Sequence, residues 1–297
     1  MPNHKSQKPQ TWTVLDALQW TAGYFETHHI DSPRLTAEIL LAAVLGLQRI
    51  DLYIRHDQPL SGPELASYRE TIRRRVRREP VAYILREKEF WGREFMVTPD
   101  VLIPRPETEH LVEAALVRLP DETDPARRVI DLGTGSGAVA VSLAADRPGH
   151  IYFAVDRSYA ALRVARKNAG LNGVPGRIHF FAGSWMEAIR QDGPGFDMIV
   201  SNPPYVPSGQ MAALQPEIHD HEPRMALDGQ GRGLAAIETI VRGAPQHLVP
   251  RGVLLLEIGY DQKAAILEFS DQAGVYGDPG FIRDYAGHDR VAVLQKM

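Results

Sequence analysis

From residue 128 onward, short apolar runs alternate with segments of helical periodicity, and that alternation admits few architectures. The runs at 129–132, 151–155, 178–181, 198–201, 253–258 and 291–294 are strand-length, and helical patterns near 138–147 and 158–170 separate the first three. Continuous apolar strands joined through helices predict a parallel sheet covered on both faces, because a strand exposed on one face would alternate instead. The expected fold class is therefore α/β, a doubly wound and mainly parallel sheet.

The N-terminal third reads differently. Residues 12–29 and 34–47 carry apolar positions at helical spacing, with Asp31-Ser32-Pro33 as cap and break between them. A third helix is expected from about Ser61 to Arg78, so residues 1–87 predict a small helical bundle. Aromatic and β-favouring residues around Gly92 predict a hairpin, giving a linker over 88–100 and a sheet domain over 101–297. A helix is expected after Pro106, with Glu107 and Glu109 in its first turn. Residues 1–11 are polar, contain two prolines and read as a flexible tail rather than a secretory signal.

Composition narrows the function classes. The 297 residues contain no cysteine, which excludes disulfides, thiolate metal sites and a thiol nucleophile. The net charge is −4, so no whole-molecule electrostatic grip on a long nucleic acid is expected. No run reaches the ~18 apolar residues that a membrane span needs. The expected protein is cytoplasmic, monomeric, off the membrane and without stable nucleic-acid binding.

Asp131-Leu132-Gly133-Thr134-Gly135-Ser136-Gly137 closes the first strand and opens a helix. Glycines at every second position allow a tight turn and let a ligand approach backbone amides at a helix N-terminus. Asp156, about 20 residues on at the end of the second strand, suits a ribose diol. A nucleoside cofactor is implied. The loop alone does not say which, since Gly133, Gly135 and Ala138 also satisfy the looser dinucleotide fingerprint.

Asn202-Pro203-Pro204-Tyr205 follows the strand 196–201 and belongs to the same crevice. Two prolines stiffen the chain and remove two donors, leaving carbonyls as acceptors, while Asn202 adds an acceptor and Tyr205 a flat ring. A rigid acceptor set beside a ring suits a planar NH2 on an sp2 carbon. Held by both hydrogens, such a nitrogen aims its lone pair at an electrophile, and the acceptors offset the charge that develops on it. A sulfonium methyl donor fits this geometry; hydride transfer makes no use of it. The loop by itself does not distinguish an amide from a nucleic-acid base.

These two motifs resemble those of the class I S-adenosylmethionine-dependent amino-methyltransferases, with a seven-stranded sheet. Phe90-Trp91-Gly92-Arg93-Glu94-Phe95 and Leu102-Ile103-Pro104-Arg105-Pro106-Glu107-Thr108-Glu109 sharpen the match. They resemble the interdomain signature of the bacterial peptide chain release factor glutamine methyltransferases rather than that of the related ribosomal-protein enzymes. With the helical module, which would dock substrate, the resemblance spans nearly the whole chain. It implies that Gly133, Thr134, Gly135, Ser136 and Gly137 wrap the methionine end of S-adenosylmethionine, with S-adenosylhomocysteine as product. Asp156 would hold the ribose, Trp185 would sit beside the adenine, and Asn202 belongs to both ligands. Asn202 and the Pro203 and Pro204 backbone would hold the substrate amide, with Tyr205 packed on it. The substrate would be the glutamine of the Gly-Gly-Gln motif in class 1 release factors, methylated on N5. Two departures stand out: Ser184 replaces an acid expected beside the adenine, and Gly229-Gln230-Gly231-Arg232 replaces a double glycine with an acid.

Other features read more plainly. The arginines at 73–75, 77 and 78 crowd like charges at i,i+4, which Glu70 and Glu79 can counter. The first 97 residues hold 14 basic and 12 acidic groups, the remainder 19 and 25, so the acidity lies in the sheet domain. His219-Asp220-His221-Glu222 lacks the further spaced ligands of a metal site, and no metal is expected. Glu107 and Thr108 read either as pocket residues or as a helix cap. Trp91 and Phe95 read as hinge packing.

Overall fold

The computed structural model describes residues 11–121 and 125–297. The expectation of a flexible tail falls, except for its last residue, outside them. The chain forms two compact units, 1–85 and 86–297. Among the described residues no helix is long and apolar enough to cross a membrane.

The first unit is helical, with α1 (Val14–Thr27), α2 (Pro33–Leu45), α3 (Arg49–Ile54), α4 (Gly62–Val76) and α5 (Val81–Leu85). Reciprocal capping boxes start α1 and α4: Thr13 with Asp16, and Ser61 with Glu64. Ser32 does not cap α2 with its side chain. It turns the chain through a left-handed conformation, φ 47°, and Pro33 then starts the helix. The short α3 and α5 fall below the length at which periodicity is legible. Val14, Leu18, Phe25, Leu40, Leu41, Leu52, Tyr68 and Ile72 meet in the core. Glu38 is buried there against Arg34 at 2.7 Å and Arg49 at 2.8 Å. In the basic run Glu79 pairs with Arg74 at 2.5 Å and Glu70 with Arg73 at 3.4 Å, while Arg75 is buried.

The second unit opens with a hairpin of β1 (Glu87–Phe90) and β2 (Arg93–Met96). Its turn places Trp91 at φ 53° and Gly92 at φ 63°, the two positive values of a turn whose twist matches the strands. The Trp91 amide donates to Glu109 at 2.9 Å and its indole N–H to Asp146 at 2.6 Å. Phe90 and Phe95 are sealed in the core of this unit. The hairpin is thus part of the sheet unit, and Trp91 and Phe95 pack within that unit.

A 3-10 turn at Pro106–Thr108 leads into α6 (Glu109–Leu116). There follow β3 (Arg128–Leu132), α7 (Ala138–Asp146), β4 (Ile151–Asp156), α8 (Tyr159–Leu171), β5 (Ile178–Ala182) and β6 (Phe196–Ser201). After a 3-10 turn at Ser208–Ala213 and the one-turn α9 (Pro216–His219) come α10 (Ala235–Gly243), β7 (Leu248–Glu257), α11 (Lys263–Ala273), β8 (Gly280–Arg283) and β9 (Asp289–Gln295). The seven-stranded sheet has the order β5-β4-β3-β6-β7-β9-β8. All its pairings are parallel except β7 with β9 and β9 with β8.

Neighbouring residues of β3 feed opposite faces. Val129 joins a core with α6, α7 and α8, whereas Ile130 and Leu132 join one with α10 and α11. This is the doubly wound, mainly parallel class expected. β8 escaped the sequence reading because it is a four-residue edge strand with no fully buried side chain. β7 begins earlier than its apolar run, since a register shift accommodates the polar residues before Val253. The chain order reverses between β4-β5 and β6-β7 around β3, which opens a crevice beyond the carboxyl ends of β3 and β6.

Candidate active site

A cavity of about 650 Å³ occupies that crevice, within the range of small-molecule sites. Its floor is the loop between β3 and α7. Gly133, Gly135 and Gly137 have φ of 73°, 55° and 82°, the left-handed region open to glycine without a Cβ penalty. The Gly133 and Thr134 amides donate to the Val155 carbonyl at 2.9 and 3.0 Å, tying the loop to the end of β4. Thr134 Oγ1 donates to Asp131 Oδ2 at 2.6 Å. Burial pushes the Asp131 carboxyl up to about 7, opposed by Thr134.

Asp156 shapes the loop as well as lining the cavity. Its Oδ2 accepts from the Gly135 amide at 2.9 Å and its Oδ1 from the Ser158 amide at 2.8 Å. Burial raises its pKa while those two amides lower it. Each carboxylate oxygen keeps a further lone pair for a ligand hydroxyl. Trp185 takes φ 50°, and its ring lies 3.3 Å from where a Cβ on Gly133 would stand. Ser184 and Trp185 both form cavity wall.

Asn202 and Pro204 line the cavity opposite the glycine loop, as does Thr108. Asn202 Nδ2 donates to Thr108 Oγ1 at 3.1 Å, which leaves Oδ1 as the acceptor that amide offers a ligand. Of the sequence alternatives for this turn, Thr108 is a pocket residue and makes no side-chain cap, while Glu107 is exposed. The loop after Asn202 is clamped by backbone bonds from Val206 to Leu227, 3.0 Å, and from Gly229 to Val206, 2.9 Å. Gln262 Nε2 donates to the carbonyls of Tyr205 and Gly233, both at 3.1 Å. A Cβ on Gly229 would come within 2.7 Å of the Pro204 oxygen, so the first residue of the divergent Gly229-Gln230-Gly231-Arg232 segment must stay small.

Three assigned residues lie elsewhere. Gly137 packs against α8, where a Cβ would meet the Ala165 Cβ at 3.0 Å; it sets the helix spacing. Pro203 is buried. Tyr205 turns its hydroxyl to Glu257 Oε1 at 3.3 Å, so its ring does not wall the cavity. Glu222, from the segment with two histidines, is buried; it accepts from Arg105 at 2.5 Å and from the Ile103 amide at 3.2 Å. Arg105, Gln262 and Glu257 went unread because their roles depend on partners far along the chain, and Asp131 was given no role although its partner Thr134 is three residues on. Only Asp131 had a local signal, an acid at a strand end before the glycines.

Comparison with known proteins gives the family. Residues 16–85 match the PrmC N-terminal domain family and residues 111–267 the methyltransferase small domain family. A release factor glutamine methyltransferase of Geobacter sulfurreducens is 43% identical over 96% of this chain and 98% of its own length. That of Neisseria gonorrhoeae is 44% identical over 89% and 94%. The chain belongs to the release factor glutamine methyltransferase family. Solved structures share the fold of its sheet unit: a Pyrococcus furiosus methyltransferase has a TM-score of 0.51 at 18% identity, covering 70% of this chain and 91% of that one. The catalytic domain of human METTL16 has a TM-score of 0.56 at 16% identity, covering 74% and 80%.

The donor set suits the methyl-donor cofactor of such enzymes. The cavity joins a backbone cradle at a helix N-terminus, a carboxylate at the end of the neighbouring strand and an aromatic wall. Ser184 offers a hydroxyl where an acid was expected.

Proposed function

We propose that this protein methylates the side-chain nitrogen of the glutamine in the Gly-Gly-Gln motif of class 1 peptide chain release factors, in the cytoplasm, with S-adenosylmethionine as donor. When bound, S-adenosylmethionine supplies an electrophilic methyl group and leaves as S-adenosylhomocysteine. Gly133 to Ser136 would hold its amino-acid end, Asp156 the ribose and Trp185 with Ser184 the base. Asn202 Oδ1 and a backbone carbonyl of the Pro203-Pro204 turn, of which Pro204 lines the cavity, would accept the two hydrogens of the glutamine amide. That orients a nitrogen whose lone pair is otherwise delocalised, and the same two dipoles offset the charge it gains. Tyr205 would act through the loop backbone. The 1–85 unit would serve as the docking module.

The observation that carries this reading is the anchoring of Asn202 Nδ2 on Thr108, which leaves an acceptor in the cavity that also holds the glycine loop. The release factors named for its relatives supply the substrate class. Incubation with labelled cofactor and full-length release factor should label the protein substrate, but neither its Gln-to-Ala variant nor duplex DNA. Asn202→Ala should lower turnover by about 100-fold or more while cofactor Kd changes little. Label on DNA, or on the Gln-to-Ala substrate, would refute the assignment.

A further inference from the structure

Behind Asn202 stands a carboxylate that the reaction as described does not use. Glu257 ends β7 with 0% exposure. A bare carboxylate in such a place is costly unless hydrogen bonds hold it. Tyr205 donates to Oε1 at 3.3 Å, while buried Oε2 has no hydrogen-bond partner among the described residues. The Thr108 hydroxyl favours the ionised form of this carboxyl and already accepts Asn202 Nδ2 at 3.1 Å. The Thr108 hydroxyl hydrogen is the donor left for the unpartnered Oε2 of Glu257, a pairing that would join Asn202, Thr108 and Glu257 from the cavity wall to the core.

We propose that Glu257 is a positioning residue which, through the Thr108 hydroxyl, determines which end of the Asn202 amide meets the substrate. The inference rests on Asn202 as the group that binds the substrate NH2. A threonine hydroxyl has one hydrogen. When Glu257 is ionised it draws that hydrogen, so Oγ1 only accepts, and it takes Nδ2–H of Asn202. Oδ1 is then the end left for the substrate. When Glu257 carries a proton, the acid can donate to Oγ1, and the threonine hydrogen turns to Asn202. The amide flips to accept it and presents NH2 to NH2. Donors then face donors, and the substrate nitrogen loses its guide.

The surroundings put this change near neutrality. Burial, with a smaller push from Glu107, raises the Glu257 carboxyl to about 7 overall. Thr108, the Arg290 charge on β9 and Tyr205 act in the opposite direction. Arg290 is itself paired with Asp284 at 3.1 Å. Burial raises the Tyr205 pKa, so its hydroxyl stays a donor across the range. The sign follows: the productive amide orientation is present above the Glu257 pKa and lost as pH falls through it.

The decisive measurement needs no substrate. In the free protein, the side-chain NH2 resonances of Asn202, identified by their loss in Asn202→Asp, should move with pH at the midpoint of the Glu257 carboxyl carbon. In Thr108→Val and Glu257→Gln they should stand still. In turnover, the acid limb of kcat should vanish in Glu257→Gln. Thr108→Val should lower kcat about 10-fold or more with cofactor Kd unchanged, and Thr108→Ser should restore most of it. Asn202 signals that titrate alike in wild type and Thr108→Val, or that ignore the Glu257 titration, would overturn the proposal. Should Glu257→Gln fail to fold, the two Thr108 variants decide. Failure to methylate release factor would defeat the proposed function, yet the resonances would still decide the relay.

Discussion

At Gly137 two demands meet that a motif cannot separate. Its φ of 82° favours glycine, and the Ala165 Cβ lies 3.0 Å from where its own would be. It is the closest glycine of the loop to α8 and the one farthest from acting on a ligand. Gly137→Ala should therefore cost about 1–3 kcal/mol in stability, through strain and overpacking together. Denaturant unfolding checks this, and a loss under about 0.5 kcal/mol would show that α8 gives way freely. Asp156 shows the same doubling of roles. An acid expected to meet a ribose also accepts two loop amides, so the cradle and the carboxylate are shaped as one object. Asn202 completes the pattern, since its value lies in which atom points where, and Thr108 decides that.

Among the elements, α8 carries the most consequential single contact. Asn168 is fully buried, accepts from the Met96 amide at 2.7 Å, and donates to the Met96 carbonyl at 2.9 Å and the Ser136 carbonyl at 2.8 Å. One side chain thus fastens the hairpin and the glycine loop to the same helix. Asn168→Ala leaves three backbone groups unpaired, the Ser136 carbonyl buried and the two of Met96 partly so, and should cost about 2–5 kcal/mol. Cofactor affinity should fall as well, because Ser136 is released. Calorimetric Tm and Kd measured together test this, and an unchanged Kd would mean that the loop holds its shape without α8. The hairpin itself was legible from its aromatic residues around a glycine. Its allegiance to the sheet unit was not, because that depends on Glu109 and Asp146 far along the chain. The 229–233 segment was opaque for the same reason, as its glycine answers to the Pro204 carbonyl.

For the molecule as a whole, each unit closes its own core. Helices α1, α2 and α4 bury Val14, Leu18, Phe25, Leu40 and Tyr68 among themselves. Among the described residues, the two cores flanking the sheet draw only on those from Phe90 onward. A chain of 86–297 should therefore fold alone and bind cofactor with a Kd within about threefold of the whole protein, a difference under 1 kcal/mol. Titration calorimetry on the fragment tests it, and an insoluble or non-binding fragment would show that the helical unit completes the fold.

The alternation of apolar runs, the glycines at every second position and the tetrapeptide after β6 by themselves determined an α/β sheet with a glycine loop and an Asn-Pro-Pro-Tyr loop in one crevice. Those features are local, and each is read within a dozen residues because propensity and spacing express it. The tertiary structure alone decided that Gly137 spaces helices, that Tyr205 turns to Glu257, that Thr108 is pocket rather than cap, and that β8 closes the sheet. The first three depend on partners tens of residues away and β8 on its pairing with β9, and burial and hydrogen-bond satisfaction choose such partners only once the chain has closed.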